Sequence, residues 1–364
     1  MNETAYDILK PSAEIRFRKE LDYLISVDSA TKPENWQLSP QAVVDYIMGK
    51  KFADGFEIEP KYIGKRNIIE MAVATLATDR ALLLMGLPGT AKSWVSEHLA
   101  AAISGDSGLL VQGTAGLSEE SLRYNWNFAL LIAQGPSKAA LIASPVMKAM
   151  EKGAIVRIEE LTRIPAEIQD SLITVLSEKL ISIPELNQQV FAKKGFNLIA
   201  TANDKDKGVH ELSSAMKRRF NTIYLPLPES LEDEVKIVQQ RLGDFCTDFN
   251  MKLQTDPIRE IEKLVILFRE LRTGKTIDGK LKLKIPSSTL STAEAISVMT
   301  AAQSMATYFS KGEILPEHMF ESIYSTIVRD KEQDLQIWKE YLETVMRNRA
   351  DWENYYQLFK DILR

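Results

Sequence analysis

Residues 82–93 read Leu-Leu-Leu-Met-Gly-Leu-Pro-Gly-Thr-Ala-Lys-Ser, a short apolar run that meets a Gly/Pro turn and then a Lys-Ser pair. These residue types at this spacing suit the cradling of a polyphosphate. Gly86 and Gly89 let backbone N–H groups turn inward, Lys92 can reach β/γ oxygens, and the Ser93 hydroxyl can ligate magnesium. The loop departs from G-x-x-x-x-G-K-[ST] once, at Ala91. A position entering a helix needs no positive φ, so alanine is expected to cost little there. The alternative is an ordinary Gly/Pro turn before a helix, but strand, helix and Lys-Ser pair all fall where a nucleotide site requires them.

Three later clusters join it: Ile158-Glu159-Glu160, Thr201-Ala202-Asn203 and Arg218-Arg219-Phe220. Two carboxylates closing a buried strand would lie at the carboxyl edge of a parallel sheet, where such folds bind ligand. The Asn203 amide would close a neighbouring strand at the same edge. The Arg pair ends a short helix, where a solvated cation beside the C-terminal dipole is the bland reading.

The elements that must position these groups follow from periodicity. Strands are expected at Ala81–Met85, Leu109–Gln112, Ala154–Ile158, Phe196–Ala200 and Thr222–Leu225, with helices at Ile68–Thr78, from the loop to Ser104, Pro165–Lys179 and Glu211–Lys217. Strands alternating with helices make an α/β layer on a five-stranded parallel sheet. Two interruptions stand out. Trp126–Ile132 with the turn Gln134-Gly135-Pro136, and Leu180–Pro184 with Gln189–Ala192, read as inserted hairpins; an irregular helix pair is the alternative for the first. Residues 1–60 read as an N-terminal helical appendage, 61–228 as the α/β core, 229–310 as an α-helical lid and 311–364 as a helical C-terminal extension. In that extension Leu335, Trp338, Leu342, Val345, Trp352, Tyr355 and Phe359 recur at helical spacing, a stripe expected to pack on the protein's own lid.

Composition bounds the function. At 364 residues and 45% hydrophobic content a sizeable core is available, and the net charge of −5 argues against a surface built for nucleic acid. The single cysteine, Cys246, excludes an internal disulfide framework and is expected to be a small buried apolar residue. There is no run of 18 uncharged apolar residues, and the N-terminus, Met-Asn-Glu-Thr-Ala-Tyr-Asp, is acidic without a signal-peptide core. A soluble, cytoplasmic protein without membrane insertion is the expectation.

Taken together, GLPGTAKS, Ile158-Glu159-Glu160, Thr201-Ala202-Asn203 and Arg218-Arg219-Phe220 resemble the AAA+ ATPases, and the two hairpins resemble those of the helix-2 insert and pre-sensor-1 insert clade. Within it, Glu159-Glu160-Leu161-Thr162-Arg163-Ile164-Pro165 and Phe196–Asn203 are similar to the MoxR family, and the Glu-Glu pair and extended tails to its YehL-like branch. The resemblance covers residues 61–310. It implies ATP and Mg2+ as cofactors. The implied nucleotide contacts are Gly86, Leu87, Pro88, Gly89, Thr90, Ala91, Lys92, Ser93 and Trp94, with Ile63 and Gly64 upstream. It implies Ser93 and Glu159 as magnesium residues, with Glu159 standing where the family usually has Asp. The extra methylene moves the carboxylate outward by about 1.5 Å. Glu160 matches the catalytic Glu, Asn203 the sensor that positions water, and Arg219, with Arg218 as rival, the arginine finger. The segment Ser291-Thr292-Ala293-Glu294 has no arginine where the family often carries a second sensor.

The function that the resemblance implies is ATP hydrolysis at subunit interfaces of a homo-oligomeric ring, six-fold by family habit, that remodels or matures client proteins with a von Willebrand factor A domain partner. The alternatives are an ATP-dependent switch or scaffold with little turnover, and a DNA-translocating motor.

Overall fold

The computed structural model describes residues 8–204, 210–253, 255–330 and 332–362; the acidic stretch 1–7 lies outside them. The chain divides into two compact units at Pro226/Leu227, with the loop tip Pro88–Thr90 grouped with the second.

In the first unit, β1 (Ala81–Gly86), β2 (Leu110–Gln112), β3 (Ile155–Glu159), β4 (Asn197–Asn203) and β5 (Phe220–Tyr224) form one parallel sheet in the order β5-β1-β4-β3-β2. Alternation along the strands splits their side chains between two cores. Leu82, Leu84, Ile155, Ile199 and Ile223 face one, while Leu83, Val111, Val156, Ile158 and Leu198 face the other. With both faces covered, the strands read as continuous apolar runs.

The first core is closed by helices α1 (Arg18–Val27), α2 (Pro40–Met48), α3 (Arg66–Leu76) and α4 (Lys92–Ser104). Leu21, Leu24, Val43, Tyr46 and Ile47 lie in the same cluster as Leu82 and Leu99. The expected N-terminal appendage is thus corrected: its helices cover one face of the sheet. The second core includes α5 (Pro145–Lys152), which periodicity missed, although Ser144 caps it through Met147 N–H at 3.1 Å and Gly153 ends it at φ 70°. The helix expected over 165–179 is two pieces, Ala166–Asp170 and Leu172–Ser177. The Ser171 hydroxyl between them donates to the Ile168 carbonyl at 2.8 Å, a local bond that competes with the helix ladder.

Both inserts are antiparallel hairpins. Tyr124–Trp126 pairs with Leu141–Ala143, and between them lies a helix, Phe128–Gln134, that buries no residue. Leu180–Ile183 pairs with Gln188–Phe191. The two hairpins touch: the Tyr124 hydroxyl donates to Glu185 at 2.9 Å and Arg123 to the Ser182 carbonyl at 2.9 Å.

The second unit is helical, built from α6 (Leu231–Asp248), α7 (Ile258–Thr273), α8 (Thr292–Phe309), α9 (Pro316–Ile327), α10 (Gln333–Thr344) and α11 (Glu353–Ile362). Val238, Leu264 and Val298 share one core with Phe320, Trp338, Leu342, Val345, Trp352, Tyr355 and Phe359. The C-terminal stripe packs as expected except for Leu335, which is half-buried and outside this core, and lid and C-terminal extension share the core and are not separate bodies. Cys246 is a buried member of it. Among the described residues no helix is long and apolar enough to cross a membrane.

Candidate functional site

The parallel register levels the carboxyl ends of the strands: Asn203 pairs with Gly86, and Gln112 with Glu159. The phosphate loop leaves β1 at that edge and enters α4. Gly89 has φ 78° and Ala91 φ 62°, followed at once by the helix. Ala91 therefore occupies the left-handed region, and the expectation that this position needs no positive φ is corrected. The loop must reverse its N–H groups before the helix begins, and glycine would meet that turn without strain. The Lys92 ammonium donates to the Gly86 and Leu87 carbonyls at 3.1 and 2.8 Å, folded over the loop it serves.

Glu159 ends β3 and is 4% exposed. Its Oε2 accepts from the Ser93 and Thr201 hydroxyls, each at 2.6 Å, and its Oε1 from the Ser96 hydroxyl at 2.6 Å and Arg157 Nη2 at 2.9 Å. Burial works against the charge, but the three hydroxyls and the guanidinium outweigh it and hold the carboxyl below its ordinary range. The expected magnesium pair, Ser93 and Glu159, is thus brought into direct contact. Hard oxygen donors few in number suit Mg2+, which completes its shell with phosphate and water.

Glu160 turns the chain away from the sheet at φ 53°. Its N–H donates to Thr201 Oγ1 at 3.0 Å, so one hydroxyl binds both members of the acidic pair. Its half-exposed carboxylate meets Arg163 at 2.5 Å. A Cβ on Gly113 would stand 2.4 Å from the Glu160 carbonyl, so the approach of β2's end to this turn requires glycine. A non-glycine residue in the left-handed region at a sheet edge is strain of the kind found at functional sites.

Upstream, Trp94 Nε1 donates to the Lys61 carbonyl at 2.9 Å, which ties the segment bearing Ile63 and Gly64 to the start of α4. Lys61 is in turn held by Glu20 at 2.7 Å and lies 4.3 Å from the Phe17 ring, so the N-terminal helices brace this side.

The arginines lie elsewhere. Phe220 pairs with Ala81, at the amino end of β1. Five residue steps of about 3.3 Å put that end about 17 Å from Gly86. Arg219 is held by its own chain, donating to Ser177 Oγ and to the Ala215 carbonyl at 2.6 Å, and Arg218 is exposed. Neither approaches Glu159 or Lys92. Sequence reasoning missed Arg157 and Ser96, and it gave Thr201, singled out beside Asn203, no role of its own. A charged residue inside an otherwise apolar strand was the available signal for Arg157, since such a charge demands a partner.

A phosphate-bearing strand second from the edge in the order β5-β1-β4-β3-β2, with an acidic strand end one strand beyond its neighbour, is the architecture of an AAA+ protein. The family models agree. Residues 81–220 match the AAA domain of the dynein-related subfamily, and residues 232–363 the YehL-like AAA+ ATPase C-terminal domain. YehL of Escherichia coli is 38% identical over 355 residues, covering 96% of each chain. A Staphylococcus haemolyticus protein is 28% identical over 203 residues, 55% of this chain and 76% of that one. NtrX of Brucella abortus, solved in complex with ATP, aligns at 13% identity and a TM-score of 0.48 over 77% of this chain and 62% of that chain. The chain belongs to the YehL-like family of AAA+ ATPases.

Proposed function

We propose that the protein binds ATP with Mg2+, hydrolyses it, and spends the cycle on remodelling or maturing a client protein. The observation that carries this reading is the direct contact of Ser93 with Glu159, beside a strained Glu160 and the loop lysine. Gly86 to Trp94, with Ile63 and Gly64, bind the nucleotide. Ser93 and Glu159 would hold Mg2+, which when bound offsets phosphate charge. Glu160 polarises the attacking water and Asn203 orients it. Arg219, or Arg218 beside it, acts in a neighbouring subunit's site, in keeping with its place at the far end of the sheet. That assignment makes the working form a ring, six-fold by analogy with related ATPases. A partner with a von Willebrand factor A domain is suggested by the likeness to MoxR proteins, and the two touching inserts are the surface offered to it.

A second reading, a switch with little turnover, is favoured by the Arg163–Glu160 ion pair, which occupies the carboxylate that water activation requires. Steady-state phosphate release separates the two. Hydrolysis should exceed a Lys92→Ala control severalfold, and Glu160→Gln should keep ATP bound while stopping turnover, because the amide fills the same space but cannot polarise water. Tight binding without release above the control supports the switch. Undiminished ATP affinity in Lys92→Ala removes the nucleotide site itself.

A further inference from the structure

Glu159 poses a problem of length: its side chain is one methylene longer than aspartate, yet it stands at the end of a strand whose position is set by the sheet. The structure shows where the extra reach goes. Oε1 is turned inward to Arg157 Nη2 and the Ser96 hydroxyl, and only Oε2 is directed to Ser93. Arg157, 6% exposed and inside β3, spends its remaining donors on fixed partners: Nε on Ser96 Oγ at 3.1 Å, Nη1 on the Ser107 carbonyl at 3.1 Å, and Nη2 also on the Ser93 carbonyl at 3.1 Å. The guanidinium thus grips the first turn of α4, the segment after that helix, and one oxygen of Glu159. Ser96, fully buried three residues after Ser93, accepts from the guanidinium and donates to the carboxylate.

We propose that Arg157 and Ser96 are positioning residues that pin one oxygen of Glu159, so that the longer carboxylate presents a single oxygen to the magnesium-nucleotide beside Ser93. The inference rests on the reading of Ser93 and Glu159 as the magnesium pair. Buried partners of this kind orient metal-binding groups, and their loss typically lowers metal affinity by about 10–100-fold. A buried carboxylate freed of its clamp would be free to swing away from Ser93. A shorter carboxylate would not reach the clamp and would not need it.

The test is a titration of a fluorescent ATP analogue by anisotropy, with Mg2+ varied and with EDTA present, on the full chain. Ser96→Ala removes one hydroxyl with little change of shape and should raise the Mg2+ concentration for half-maximal tightening, leaving affinity in EDTA unchanged. Arg157→Met should raise it further, by about ten-fold. The double variant Arg157→Met with Glu159→Asp should recover most of that loss, although Glu159→Asp alone, which leaves the guanidinium unpaired, should bind Mg2+ worse than wild type. Thermal unfolding of each variant, followed without nucleotide, identifies any that fails to fold; if Arg157→Met does, Ser96→Ala decides. An unchanged Mg2+ requirement in Ser96→Ala, equal losses with and without Mg2+, or no recovery in the folded double variant overturns the clamp. A wild type that binds ATP with no response to Mg2+ overturns the magnesium reading and the clamp with it. A wild type that responds, with Ser96→Ala indistinguishable from it, overturns the clamp alone.

Discussion

Ala91 carries a cost that can be measured. Its φ of 62° lies where L-residues are strained, and the side chain is exposed, so its methyl makes no packing contribution to offset that strain. Ala91→Gly should therefore stabilise the chain by about 0.5–1 kcal/mol, net of the entropy glycine adds to the unfolded state. Urea unfolding checks it: the midpoint should rise at constant slope, and a fall would mean that the methyl packs in a way its exposure does not reveal. Lys92, Ser93, Glu159 and Asn203 were legible in the sequence because loop spacing and strand ends place polar groups at one sheet edge. Arg157 was not. It lies within a run that reads as a plain buried strand, and its partners Ser96 and Ser107 come from elements that only the packed helix α4 brings near. The left-handed turns at Ala91 and Glu160 were equally invisible, since neither residue type announces a positive φ.

Elements with strong start and stop chemistry were read to within a few residues, and those whose pattern is set by tertiary neighbours were not. The second insert hairpin was legible from its turn residues, but the first was legible only as an interruption, since most of Trp126–Ile132 lies in a helix and the paired strands stand outside it; α5 was not recognised despite Ser144-Pro145 and Gly153, because its alanine-rich approach masked the boundary. Asp334, in the first turn of α10, shows how an element is anchored by one group. Its carboxylate accepts from the N–H groups of Ser287, Asp330 and Arg329 at 2.8, 2.8 and 3.1 Å and from the Ser287 hydroxyl at 2.6 Å. Burial opposes its ionisation, but these donors prevail and hold its pKa below the ordinary value. A carboxyl depressed in the folded state stabilises above its unfolded pKa, near 3.9, and that contribution is lost as pH falls through the folded value. Asp334→Asn should cost about 2 kcal/mol at pH 7, with the gap from wild type narrowing below about pH 4. Urea titrations of both proteins at pH 7 and pH 3 measure it; a gap independent of pH would mean that shape, not charge, is what Asp334 supplies. The insert helix Phe128–Gln134 is the opposite case. Phe128 is 67% and Ile132 86% exposed, so trimming residues 128–139 to a short turn should leave melting temperature and basal hydrolysis near wild type while impairing action on a client. Equal loss of hydrolysis would make the insert a structural part of the site.

At the scale of the whole molecule, the separation of Arg219 from its own chain's phosphate loop has a consequence for assembly. If Arg219 completes a neighbour's site, specific activity should rise with protein concentration, because a head-to-tail contact repeated around a ring supplies each site from two chains. Mixing Arg219→Ala with Lys92→Ala subunits should then restore turnover, since an intact site forms wherever a chain with Lys92 meets a chain with Arg219. Phosphate release from the mixture, with subunit exchange verified by fluorescence energy transfer, reads this out, and a mixture no better than its parts rejects the shared site. Of the four expected segments, only the boundary at residue 228 lies close to the division between the two units, whereas the merging of N-terminal helices into the sheet core was not legible, because long-range packing leaves no periodic mark. The lone cysteine offers a further handle on these bodies. Cys246 is buried against the second unit's core, and burial pushes its thiol pKa up, so the closed form resists thiol reagents. Labelling of the natural, unaltered chain by a disulfide dye is therefore a clock for the opening of that one unit, and running it with nucleotide or partner added times their effect on the helical half without a single engineered probe.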